Sequence, residues 1–235
     1  MKRIPVTALI SLVAGIALCG TAVGKDMPDN WDGLVRVKPK KMDAAYVAPG
    51  ADFRTYTKVM LDPAEVAFKK DWMRDVNDAS VGVSKDVTDE DAQKILAAAR
   101  EGLDEVFKET FEKAGISVVT APGNDVLRLS PGVANLYINA PDTMTAGRSR
   151  TYTTEAGEAT FVLEARDSTS GALLGRVFDR RETRQSAGVQ WATSVSNRAD
   201  FKQLFKSWAN ICVKGLGELK EISPVPADLQ PNQKL

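Results

Sequence analysis

Between Thr88 and Gly115, apolar side chains recur at three- and four-residue steps: Ile95, Ala99, Leu103, Val106, Phe107, Thr110 and Ala114. That spacing predicts one long helix with a single apolar stripe. Thr88 is placed to cap its start, with Asp89, Glu90 and Asp91 in the first turn, where the helix dipole favours acids. Gly115 is placed to end it. Arg100, Glu101, Asp104, Glu105, Lys108 and Glu112 cover the other side. A helix with one such stripe needs a second apolar surface to lie on, and the rest of the chain must supply it.

Most of that surface reads as strands. Tyr56 to Phe68 is extended, with Val59 and Leu61 on one face, Lys58 and Met60 on the other, and an edge or bulge at Pro63. Residues 69–87 read as a polar loop holding Trp72. Ile116 to Val119 reads as a short buried strand. Val126–Leu129 and Val133–Asn139 read as another, interrupted at Pro131-Gly132. Residues 140–157 read as a long loop, with Arg148 and Arg150 in it. A hairpin follows: Ala159, Phe161, Leu163 and Ala165 alternate with Thr160, Val162, Glu164 and Arg166, Asp167–Gly171 turns, and Leu173–Glu182 returns. In one register Glu164 faces Arg176 as an exposed charge pair and Leu163 faces Val177. After a loop over 183–196 containing Trp191, Asn197 with Asp200 opens a last helix. Phe201, Leu204, Phe205, Trp208, Ile211, Cys212, Leu216 and Leu219 line its apolar side. The predicted fold class is α+β: an antiparallel sheet with two main helices packed on one face. Its second face is expected to be open to water or to a partner.

The N-terminus reads as an address. Lys2 and Arg3 precede a mostly apolar run from Val6 to Leu18, followed by small residues. This is the pattern of an export signal, with a core short for a membrane span. Ala22-Val23-Gly24 fits cleavage by ordinary signal peptidase, whereas Cys19 offers a lipidation site, preceded by Leu18. The expected organisation is a signal peptide over 1–24, a linker over 25–48, one α+β domain over 49–222 and a disordered tail over 223–235. The linker carries a basic stretch, Val35 to Lys41, read as solvated or as lying near an anionic lipid surface. Once Cys19 is removed or acylated, Cys212 has no partner within the chain.

Catalytic templates mostly fail. The chain has no histidine, which excludes Ser-His-Asp and Cys-His arrangements and histidine metal ligands. Gly215-Leu216-Gly217 lacks the third glycine of a dinucleotide loop. Asp167–Gly171 is better read as a hairpin turn than as an aspartic-protease loop. No metal site or cofactor is expected. Asp52, Asp62 and Glu65 remain as carboxylates for a hydrolase reading. Cys212 reads as an inert core thiol. Lys+Arg and Asp+Glu are both 31, so no net field steers the molecule to nucleic acid, and none is expected as a partner. The best candidate contact surface is Arg176, Arg180, Arg181 and Arg184, with Trp191.

Pro49-Gly50-Ala51-Asp52-Phe53, Tyr56, Val59–Phe68 and Trp72 resemble the opening of a bacterial family of unknown function, DUF3313. Thr88–Asp91, Pro122-Gly123 with Leu127, Glu164–Gly171 and the Phe205/Trp208-Ala209 helix resemble its later parts, and the resemblance spans about 31–220. It implies an α+β domain exported in a Gram-negative bacterium, often as a lipoprotein, and it implies no catalytic residue and no cofactor. The resulting expectation is a non-enzymatic binding or accessory protein in the periplasm, or anchored to the outer membrane and facing it. Its expected partner is an envelope protein or lipid component, with the oligomeric state left open. The alternative is a periplasmic hydrolase acting on wall or glycan material through Asp52, Asp62 or Glu65.

Overall fold

The computed structural model describes residues 27–79, 86–138, 157–182 and 194–235, with only the helical path given for 194–200. The strands are β1 (Asn30–Trp31), β2 (Leu34–Val37), β3 (Ala44–Val47), β4 (Lys58–Leu61), β5 (Glu65–Phe68), β6 (Ser117–Val118), β7 (Val126–Tyr137), β8 (Glu158–Asp167) and β9 (Leu173–Glu182). The helices are α1 (Trp72–Ala79), α2 (Asp89–Lys113) and α3 (Ser194–Ile222), with a 3-10 turn at Phe53–Thr55. Among the described residues the strands form one sheet in the order β1-β2-β3-β9-β8-β7-β4-β6, with β5 also paired to β7. The fold is α+β, mostly antiparallel, with α2 and α3 packed on the sheet. One edge departs from the antiparallel expectation: β4 and β5 run parallel to β7, and β6 runs parallel to β4.

The α2 ends follow the sequence closely. Thr88 and Asp91 form a reciprocal capping box. Gly115 has φ 79°, its N–H donates to the Glu112 carbonyl and that of Ile116 donates to Phe111, so glycine's left-handed freedom closes the helix. Leu103, Val106, Phe107 and Phe111 are its buried side chains. At α3 the start differs: the helix begins at Ser194, so Asn197 lies inside it rather than at its cap. Residues 72–79, expected in a loop, form α1, because Trp72 anchors there. Its ring stacks on Phe68 at 3.7 Å and its Nε1 donates to the Ile138 carbonyl at 3.0 Å.

Strand β7 is continuous through Pro131-Gly132, where an interruption was expected. The physical reason is on its neighbour. β4 pairs with β7 up to Leu129 and β5 resumes at Gly132, so Pro131 sits opposite the break between them. Its missing N–H costs no ladder bond on that side. Pro63 occupies the same break, between β4 and β5.

Two expected boundaries are corrected. Residues 25–48, expected as a linker, supply β1, β2 and β3, with Leu34, Val35, Val37, Ala44, Tyr46 and Val47 buried. The alternation of these short runs was hidden by the basic residues among them. Residues 223–235, expected as a disordered tail, dock along the same edge. Val225 exchanges backbone bonds with Gly50 and Ala51, Gln233 bridges Val37, and Val225 and Leu229 are buried. The second sheet face is not fully open either. Leu34, Ala44, Tyr46, Val162 and Phe178 form a second apolar cluster there, covered by Met27 and Trp31, and the Trp31 ring stacks on Phe178 at 5.3 Å.

Candidate functional site

The helical face of the sheet is filled unevenly. Under the first half of α3, aromatic rings occupy the space: Phe161 lies 4.9 Å from Trp208 and 5.6 Å from Phe107. Toward the β8–β9 turn the sheet presents Ala165 directly opposite Gly175, with Ala45 one pair further along, opposite Val177. Gly215 of α3 lies over this region, and a Cβ added there would meet nothing within 4 Å. Small residues on both layers leave a cavity of about 430 Å³. That is within the range of roughly 300–1,000 Å³ typical of small-molecule sites. Val47, Leu129, Leu163 and Val177 of the sheet and Ile211 and Leu219 of α3 are among its walls.

The mouth has a different character. The β2–β3 connection contributes Lys38, Lys40, Lys41 and Met42, and α3 contributes Lys214, Glu218 and Glu221. Lys40 Nζ lies 3.1 Å and Lys214 Nζ 3.9 Å from Glu218 Oε1. These ion pairs are largely exposed, so each contributes only about 0–1 kcal/mol and competes poorly with another anion. Ile222 and Leu235 border the same opening. Cys212 also lines the cavity; burial, with the charge of Asp179 adding to it, holds its thiol above the ordinary range. The thiol therefore stays protonated and apolar in character. Among the described residues no group of His, Cys, Asp and Glu could hold a metal ion. Among them no helix is long and apolar enough to cross a membrane.

The arginines do not form one open patch. Arg176 is buried on the opposite face, where its guanidinium contacts Glu164 at 2.6 Å and Asp32 at 2.9 Å and covers the Trp31 ring at 4.5 Å. Arg180 pairs with Glu158 at 2.8 Å. Arg181 donates to Asp179 and to the Lys41 carbonyl. Arg184, Trp191 and Cys19 lie outside the described residues, as do Arg148 and Arg150. Nor do the three carboxylates of the hydrolase reading converge. Arg128 Nε donates to both Asp62 oxygens at 2.9 Å and Ser130 donates to one of them. Asp52 is held by Arg54, whose hydrogen bonds keep its carboxyl below the usual range. Glu65 is exposed on β5. None of the three is among the cavity's lining residues.

Sequence reasoning passed over the cavity because its signal is a lack of side chains. The basic stretch Val35–Lys41 and Gly215 were both visible. Only the meeting of Lys38–Lys41 with Gly215 at the cavity gives them a common meaning.

No curated protein matches the chain. Among solved structures, it is similar to a protein of family DUF330 from Xanthomonas campestris, at 14% identity and TM-score 0.43, covering 80% of this chain and 96% of that one. A putative neuraminyllactose-binding hemagglutinin homolog from Helicobacter pylori is matched at 14% identity and TM-score 0.40, covering 75% and 93%. The PelC dodecamer from Paraburkholderia phytofirmans is matched at 13% identity and TM-score 0.37, covering 71% and 93%. At these scores nothing about this chain's role follows from them. The model of the family described as Protein of unknown function (DUF3313) matches residues 26–211, and the chain belongs to that family.

Proposed function

We propose that this is a non-enzymatic binding protein of the bacterial cell envelope, which holds the apolar part of a small ligand between α3 and the sheet. One observation carries the binding role: an apolar cavity of about 430 Å³ that two layers of small residues keep open. Glycine inside a helix costs roughly 1 kcal/mol relative to alanine. Gly215 bears that cost where a side chain would have room. The charged run and apolar stretch of residues 2–18 support export, followed by release near Gly24 or anchoring at Cys19.

The site is tested with N-phenyl-1-naphthylamine, an uncharged probe that brightens in dry apolar pockets. The full chain should bind it saturably, and Gly215→Leu should abolish binding while raising the melting temperature. Binding that survives a folded Gly215→Leu would place the probe elsewhere, and no saturable binding by the parent would overturn the reading. Intact mass of protein taken from the native envelope tests the address. A start at Lys25 or an acylated Cys19 supports it, and an uncleaved N-terminus overturns it.

A further inference from the structure

Resting on that reading, we infer that the ligand is a single-chain amphiphile with an anionic head, its alkyl chain in the cavity and its carboxylate or phosphate at the mouth. The lining is mostly apolar, and its charged side chains come from the β2–β3 connection and α3, apart from Arg176, whose guanidinium turns to Glu164 and Asp32. Among the described side chains lining the opening, Lys38, Lys40, Lys41 and Lys214 stand against Glu218 and Glu221, an excess of positive charge in a chain whose overall balance is zero. Lys40 and Lys214 both turn to Glu218. An anionic head would give these ammonium groups a second partner, and charge-assisted contacts of that kind are the stronger hydrogen bonds. Ile222, the exposed large hydrophobic side chain among the described residues, stands at the same opening. It is placed to touch the first methylenes of a chain on its way in. A neutral apolar ligand would use the interior alone, and a cationic one would meet the lysines.

The test uses the full chain and three ligands of equal length below their micelle concentrations: dodecanoate, dodecyl phosphate and dodecanol. Calorimetric titration should show both anions binding about tenfold or more tighter than the alcohol. Lengthening the carboxylate by two carbons should tighten binding roughly tenfold until the cavity is full. The quadruple variant Lys38→Ser/Lys40→Ser/Lys41→Ser/Lys214→Ser, made at exposed positions, should bring the anions down to the alcohol's affinity or below and leave the alcohol unchanged. The ratio of dodecanoate to dodecyl phosphate distinguishes a fatty-acid from a phosphate-headed source. Equal binding of anions and alcohol overturns the anionic head while leaving the cavity reading intact. An anion preference that survives the quadruple variant overturns the assignment of the mouth. Failure of all three ligands and of the uncharged probe overturns the cavity reading itself.

Discussion

Glu164 on β8 and Arg176 on β9 stand directly opposite each other and pair at 2.6 Å, both buried. This is one of the registers the hairpin's alternation allows, and nothing in that alternation signalled the burial. The pair was expected to be exposed, and it is the N-terminal segment that covers it, through Trp31 and Asp32. A buried charge left with no partner costs roughly 3–5 kcal/mol, and removing the Glu164 charge leaves buried Arg176 with the largely exposed Asp32 alone, which sets that figure as the upper bound. Glu164→Gln should therefore lower urea-unfolding stability by up to several kcal/mol. The double change Glu164→Leu/Arg176→Met should recover much of it, because it leaves no buried charge unpaired: Arg166 and Asp32, which also lose a partner, both reach solvent. Equal losses in the single and double variants would show that the charges themselves stabilise the fold.

Tyr56 donates to Asp167 at 3.0 Å, and the two are shifted in opposite directions from their ordinary values. Burial first, then the hydrogen bond and charge of Asp167, push the Tyr56 phenol up to about 12 from its ordinary 10.0. Its contribution to stability is complete below pH 10 and is lost as pH rises toward 12. Hydrogen bonds from Ser170 first, with those of Tyr56 and Thr169, hold the Asp167 carboxyl far below its ordinary 3.8. Its contribution is complete above pH 3.8 and is lost as pH falls below that value. Asp167→Asn should flatten the acid limb of the stability profile and bring the Tyr56 phenolate transition, read by ultraviolet absorbance, part of the way back toward 10. An unchanged acid limb would mean the turn around Asp167 is not held by its charge.

Leu229 and Val225 give the C-terminal segment its place, although three prolines near them suggested a loose tail. Leu229→Ala should cost about 2–5 kcal/mol, as for other buried leucines. Its exposed neighbour Asp228→Ala should stay within roughly 0.5 kcal/mol. Thermal unfolding of the two variants separates them, and equal melting temperatures would return the segment to a tail.

Local signals carried most of what the sequence revealed. The α2 caps, the β8–β9 hairpin and the apolar side of α3 each depend on residues near one another in the chain. What stayed hidden depends on distant pairings. Leu34 to Val47 looked like linker because Lys38, Lys40 and Lys41 interrupt two very short strands, whose pairing reaches across the chain to β9. The cavity was invisible for the same reason. Ala45, Ala165, Gly175 and Gly215 come from four elements, and a small residue carries no apolar signal of its own. Arg176 shows the opposite case. Sequence proximity grouped it with Arg180, Arg181 and Arg184 on one surface, but its place on β9 buries it under Trp31.

Gly132 tests the parallel edge where two prolines share a break. A Cβ there would lie 3.2 Å from the Glu65 carbonyl oxygen, a backbone atom held by the β5–β7 pairing. Backbone cannot swing aside as a flexible side chain can, so Gly132→Ala should cost about 1–3 kcal/mol through forced separation of the strands. Gly217 is the control. It lies exposed on α3 with nothing within 4 Å of its added Cβ, and Gly217→Ala should stabilise by up to about 1 kcal/mol. Opposite signs from one chemical change would locate the cost in the close approach of β5 to β7. A gain at both positions would mean that the two strands sit further apart than this geometry requires.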